Sequence, residues 1–140
     1  MVIEVLKIND PAVLEQAFKI RKEVFVLEQK VDEKEEYEFE DESIHFIAIV
    51  DGQYAGTARW RLTEKGVKLE RFAVRKEFRS SGVGSQLVST VIKDIPEDYR
   101  YLYLHAQLSA MGLYSKFNFL VEGDMFEEAG IQHYKMVLKR

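Results

Sequence analysis

The sequence predicts an α+β layer fold built on a mixed sheet, and three observations carry that reading. Asp51-Gly52 separates two apolar runs and fits a two-residue type I′ hairpin turn. Val83, Leu87, Val88, Val91 and Ile92 recur at helical spacing until Pro96 ends the pattern. The elements follow in the order strand, helix, three meandering strands, helix, strand, helix, strand pair, which needs both antiparallel hairpins and a crossover.

"MVIEV" opens as a strand. Asp10 then stands as an N-cap before Pro11 at the first helical position, and Val13, Leu14, Ala17, Phe18, Val24 and Phe25 predict a helix over about 11–28. The acidic stretch "DEKEEYEFEDE" at 32–42 reads as a loop. Strands are expected over about 44–50 and 53–62, the second apolar on one face and basic on the other through Arg59 and Arg61. A turn near Gly66 leads to a third strand, about 67–74, and a helix over about 83–94 follows. A strand at 101–106, a helix over about 109–117 capped near Asn118, and strands near 119–126 and 131–138 with "EEAG" as the loop between them complete the chain.

At 140 residues the chain suits one domain, 1–140, that buries about two thirds of its unfolded surface. Its 46% hydrophobic and 31% charged residues are those of a globular protein rather than a disordered or fibrous one. No apolar run approaches the roughly 18 residues of a membrane span and the start shows no basic leader, so a cytoplasmic location is expected. The absence of cysteine excludes disulfides, thiolate metal sites and a cysteine nucleophile. His45, His105 and His133 match no zinc spacing, and no metal is expected. Scattered basic residues and a pI of about 5.5 argue against nucleic acid.

Charge is unevenly placed. The stretch at 32–42 holds eight acidic residues and one lysine; subtracting these from the chain's 24 acidic and 20 basic residues leaves 16 against 19, a surplus of three positive charges. The acidic run reads either as a solvated loop or as a rim attracting a cationic substrate.

"RSSGVGS" at 79–85 places two of the eight glycines at the start of a helix. Unpaired N–H groups and the helix dipole make such a start a site for phosphate. Gly82 and Gly84 would let a ligand approach the backbone, Ser80, Ser81 and Ser85 could add hydroxyls, and Arg79 adds a charge. The same glycines also suit a plain tight connection. A phosphate-binding Walker loop needs a lysine that is absent, and a dinucleotide fingerprint needs a third glycine where Leu87 stands.

The run "LERFAVRKEFRSSGVGSQLV" at 69–88 resembles the signature of the GNAT superfamily of acyl-CoA-dependent N-acyltransferases, and "AMGLYSKFNF" at 110–119 resembles its downstream tyrosine element. "RKEVFVLEQ" at 21–29, "LHAQLSA" at 104–110 and "EAGIQHYKM" at 128–136 are similar to the ElaA/YjcF-like branch, so the likeness spans nearly the whole chain. Asn118 departs from the family's usual glycine, but asparagine tolerates a left-handed helix cap well.

The resemblance implies a mostly antiparallel sheet of about six to seven strands with helices on both faces, and acetyl-CoA as co-substrate. Two strands would splay around the pantetheine arm, with backbone contacts from Phe72, Ala73 and Val74, and with N–H groups from Arg79, Ser80, Ser81, Gly82, Val83, Gly84 and Ser85 on the pyrophosphate. Tyr114 matches the tyrosine that protonates the leaving thiolate. A base for the amine would be Glu70, expected on the same strand face as Phe72 and Val74, or His105; Glu70 could equally pair with Arg59 or Arg61. Phe25, Glu28, Gln29, His45 and His133 are the candidates for binding a small-molecule or peptide amine acceptor. The expected activity is acetyl transfer to a primary amine in a ternary complex; a CoA-binding sensor on the same fold, or a nucleotide-binding protein without acyl chemistry, are the alternatives. An apolar C-terminal edge permits a homodimer as well as a monomer.

Overall fold

The computed structural model describes residues 1–140, and its sheet grows outward from the predicted hairpin. Asp51 and Gly52 both take positive φ, 47° and 84°, as a type I′ turn requires. The strands are β1 (Ile3–Lys7), β2 (Ile44–Val50), β3 (Gln53–Thr63), β4 (Gly66–Val74), β5 (Tyr101–Gln107), β6 (Leu120–Val121), β7 (Phe126–Glu128) and β8 (Ile131–Lys139). Seven lie in the order β1-β2-β3-β4-β5-β8-β6, and β7 pairs with β8 beyond β6. Only β4 and β5 run parallel, joined by a crossover through α3 (Val83–Asp94).

The strand expected at 119–126 is two short ones, because Gly123 turns the chain at φ 89° between them, and the sheet therefore has eight strands. The helix expected over 11–28 is also divided. Asp10 caps α1 (Pro11–Arg21) by accepting from the Ala12 N–H at 2.9 Å, and the chain continues as a π-helical segment, Lys22–Glu28, that Lys30 ends at φ 62°. The last predicted helix is a 3₁₀ turn, Leu108–Ala110, followed by α4 (Met111–Ser115); Asn118 adopts the left-handed cap at φ 70°.

Strand alternation divides the core between the two faces of the sheet. Phe46, Ala48 and Val50 of β2 point toward Leu87, Val88 and Val91 of α3, while Ile47 points toward Ala17 and Ile20 of α1 and Val24. Helices thus cover both faces. Gly56 lets α3 approach closely: a Cβ there would lie 2.9 Å from the Ala73 carbonyl and 3.2 Å from Leu87.

The acidic stretch is not simply a solvated loop. Asp32 caps a short helix, α2 (Glu33–Glu36), and two later carboxylates reach under the surface. Arg21 and Arg59, 1% and 0% exposed, are anchored there: Arg21 Nε meets Glu36 at 2.7 Å, Arg21 Nη2 meets Glu40 at 2.7 Å, and Arg59 Nη1 meets the other Glu40 oxygen at 2.8 Å. Burying a guanidinium costs several kcal/mol unless its donors are matched, and these carboxylates match them. The basic face predicted for β3 is real, and α1 with the acidic stretch covers it.

Glu70 of β4 extends the network to Arg59 at 2.9 Å, Arg61 at 2.6 Å and Lys68 at 3.4 Å. Burial pushes its carboxyl up, but Arg59, Arg61, Lys68 and Arg71 outweigh this and hold it at about 2, from 4.5.

Two outcomes are expected. Glu40→Ala, which strips both buried arginines of a partner, lowers unfolding free energy by about 3 to 5 kcal/mol in urea titration. The depressed Glu70 carboxyl contributes stability that is complete above pH 4.5 and is lost as pH falls toward 2. At 1.4 kcal/mol per tenfold that loss is about 3 kcal/mol, and it appears as a steeper acid slope in the wild type than in Glu70→Gln.

Candidate active site

The site begins where β4 and β5 stop pairing. Only Val67 with Leu102 and Lys68 with Tyr103 are in register; beyond them the strands diverge. On its other edge β4 carries a bulge: the β3–β4 register shifts by one residue between the Thr57–Ala73 and Arg59–Glu70 pairs, and Arg71 sits at φ 60°. An extra residue reverses the alternation of side chains. Leu69, Phe72 and Val74 face α3, whereas Glu70 faces Arg59 on the α1 side, so the expectation that Glu70 shares a face with Phe72 and Val74 is corrected.

The divergence opens a cleft of about 830 Å³. Phe72, Ala73, Val74, Arg79, Ser80, Leu113 and Tyr114 line one part; Phe25, Gln29, Glu70, Arg71, His105, Glu128 and His133 line the other. Glu35, Glu36 and Glu38 of the acidic stretch also reach its wall.

At the start of α3 Gly82 is the N-cap, with φ 95°, and no side chain caps the helix. Ser80 is left-handed too, at φ 62°. No N–H from Ser80 to Ser85 donates to a turn or loop carbonyl, which leaves a row of free donors at the positive end of the helix dipole. Gly82 serves through its φ; at Gly84 a Cβ would touch Leu113 at 3.4 Å. The individual side chains contribute less than their types suggest. Val83 is buried, the Ser81 hydroxyl donates to the Phe78 carbonyl, and Arg79 is engaged by the Val74 carbonyl at 2.9 Å and Glu28 at 2.8 Å, its own N–H donating to Lys76. Ser81, Gly82, Val83, Gly84 and Ser85 lie outside the cleft wall proper. Free N–H groups and diverging strands are features that a pyrophosphate and an extended arm would fill, so the residues fit coenzyme A.

Tyr114 of α4 lies edge-on to Phe72, ring centroids 5.6 Å apart, and to Phe119 at 6.3 Å. Burial pushes its phenol up, so the hydroxyl keeps its proton at neutral pH. His105 Nδ1 lies 3.0 Å from Glu128, and His133 Nδ1 accompanies the Ile131 carbonyl at 2.7 Å. Gln29 accepts from Gln107 at 2.9 Å in the cleft wall.

Two acceptor candidates fall elsewhere. Glu28 is occupied by Arg79. His45, on β2 two strands away from β4, does not line the cleft: its Nε2 meets the Glu40 carbonyl at 2.9 Å and its ring packs edge-on to Phe18. Burial holds its pKa below the ordinary value. Glu128 and Arg71, like Gln107 and Leu113, line the cleft without having been singled out from the sequence. A three-residue strand has too little periodicity to announce Glu128, and the one available signal was its membership of the "EAGIQHYKM" block.

Residues 9–140 match the acetyltransferase (GNAT) domain. The uncharacterized N-acetyltransferase YjcF of Bacillus subtilis (strain 168) is 39% identical over 128 residues, 89% of this chain and 91% of its own length. Two solved structures share the fold. Escherichia coli ElaA superposes with a TM-score of 0.82 at 22% identity, over 99% of this chain and 100% of that one. A GNAT family acetyltransferase from Elizabethkingia anophelis, with acetyl-CoA bound, does so with a TM-score of 0.70 at 16% identity, over 99% and 98%. The chain therefore belongs to the GNAT acetyltransferase family, on the branch that includes YjcF and whose fold it shares with ElaA.

Proposed function

We propose that this protein transfers the acetyl group of acetyl-CoA to a primary amine of a small molecule or peptide, by direct attack with both substrates bound. One observation carries the reading: the cleft between diverging strands holds a buried, protonated tyrosine and a histidine, and at Arg79 and Ser80 it reaches the turn that leads into a helix start with free N–H groups. With no cysteine in the chain, a cysteinyl acyl-enzyme is excluded.

The Ser80–Ser85 N–H groups would hold the pyrophosphate, and the unpaired edge of β4 at Phe72–Val74 would hold the pantetheine arm as a neighbouring strand would. When bound, acetyl-CoA supplies a thioester carbonyl open to attack. Tyr114 keeps a proton at its hydroxyl for the departing sulfur. The amine needs the opposite service: at a pKa near 10.4, losing its proton at pH 7 costs about 5 kcal/mol.

Glu70 is poorly suited to take that proton. Held at about 2 by its cations, it would be protonated at pH 7 only at a cost of about 7 kcal/mol. Its geometry supports an anchoring role for Arg59 and Arg61. His105 lines the same cleft, and its Nε2 makes no hydrogen bond within the protein, so we assign the base to His105. Phe25, Gln29 and His133 would form the acceptor wall.

Two measurements test this. Ser85→Glu puts a carboxylate at the third helical residue, where it suits the helix but repels a phosphate. Acetyl-CoA at about 100 times its Kd should raise the wild-type unfolding midpoint by several degrees, whereas Ser85→Glu should fold normally and lose that rise. Tyr114→Phe should keep the rise while kcat, followed as thiol release with a panel of a diamine, an amino sugar and a lysine peptide, falls about 10² to 10⁴-fold. A rise with acetyl-CoA but no turnover with any amine would favour a sensor.

A further inference from the structure

We propose that Glu128 is a positioning residue for the transfer, holding His105 in the tautomer whose Nε2 is free to take the acceptor's proton; this rests on the assignment of His105 as the base. Glu128 ends β7, and Ala129 and Gly130 turn the chain into β8 with φ of 53° and 76°. Left-handed backbone is uncommon for alanine and costs energy, and here it occurs in the cleft wall, beside the carboxylate. The turn brings Glu128 Oε2 to 3.0 Å from His105 Nδ1 and Oε1 to 4.0 Å from His133 Nε2. Phe126 holds both rings, edge-on to His105 at 5.0 Å and stacked on His133 at 5.8 Å.

The hydrogen bond from His105 holds the Glu128 carboxyl below its ordinary value against the opposing effect of burial, and the charges of His105, Lys68 and His133 add to it. An ionised carboxylate only accepts, so the hydrogen between the two groups belongs to Nδ1. The neutral ring then has its lone pair on Nε2. When the amine nitrogen gives up its proton to Nε2, the ring becomes an imidazolium that still donates Nδ1–H to Glu128, and the carboxylate faces the new charge. The proton later leaves from Nε2 to solvent. This is the arrangement in which a third group orients a base. Around this pair the other titratable groups are Tyr103 on the same strand, Lys135 opposite His105 on β8, Lys68 of β4 and His133. The Tyr103 hydroxyl is paired with Thr63 at 2.7 Å and an ammonium only donates, so Glu128 is the acceptor that sets the tautomer.

The test is ¹⁵N NMR of the imidazole rings at a pH where they are neutral, on the wild type, Glu128→Gln and Glu128→Ala, with the His105 signals identified by their loss in His105→Ala. The wild type should show Nδ1–H. Glu128→Gln, whose amide oxygen still accepts, should retain it, and Glu128→Ala should lose it. With acetyl-CoA and the fastest amine of the panel, kcat should fall about tenfold in Glu128→Gln and about a hundredfold in Glu128→Ala. KM for acetyl-CoA should stay within twofold, since a positioning residue acts on the base and not on cofactor binding. A Nδ1–H signal unchanged in Glu128→Ala, or a changed signal with unchanged kcat, overturns the positioning role and leaves His105 as the base. Full turnover in His105→Ala removes the base assignment itself.

Discussion

Two residue pairs, Val67 with Leu102 and Lys68 with Tyr103, are all that join the two halves of the sheet through their parallel strands. The rest of the molecule is arranged so that the pairing stops there. β4 is held along its other edge by β3, and β5 is held by β8 through seven successive residue pairs from Tyr101 to Gln107, so each strand is rigid while the edge facing the gap is open. Unpaired main-chain groups are costly when buried and tolerable when they face a solvated cleft. Arg79 satisfies one of them, the Val74 carbonyl, and ties the turn before α3 to the end of β4.

The bulge at Arg71 matters as much as the gap. By inserting one residue it turns Phe72 toward Tyr114 and leaves Glu70 with the buried arginines, so one strand serves two environments. The apolar side keeps a phenol protonated; the charged side keeps a carboxylate ionised. The acidic stretch belongs to the second environment. Glu36 and Glu40 secure Arg21 and Arg59, and this bonding fixes Glu35, Glu36 and Glu38 at the wall of the cleft.

Much of this was legible in the sequence, and what was not has physical reasons. Asp51-Gly52, Asp10-Pro11 and the Val83–Ile92 stripe are local signals, and the elements they predict are present. The glycine turn was legible as a helix start, because small residues without a capping side chain leave its backbone N–H groups open. Parity along β4 was not legible: "ERFAV" looks like uninterrupted alternation, and only the register with β3 reveals the extra residue. The π-helical widening after Arg21 was hidden for a similar reason, since Val24 and Phe25 fit a continuous helix until Val24 is seen packed on Ile47 and Ala73. Glu128 and Glu40 meet partners 23 and 19 residues away, His105 and Arg21, and no local pattern encodes those contacts.

On the proposed function, the open edge of β4 and the free N–H groups before α3 together receive one extended ligand. Amide hydrogen exchange with and without coenzyme A tests it most directly. Slowed exchange is expected at Phe72–Val74 and at Ser80–Ser85 together, with little change along β1 and β2. Binding of coenzyme A that leaves both segments exchanging as before would contradict it.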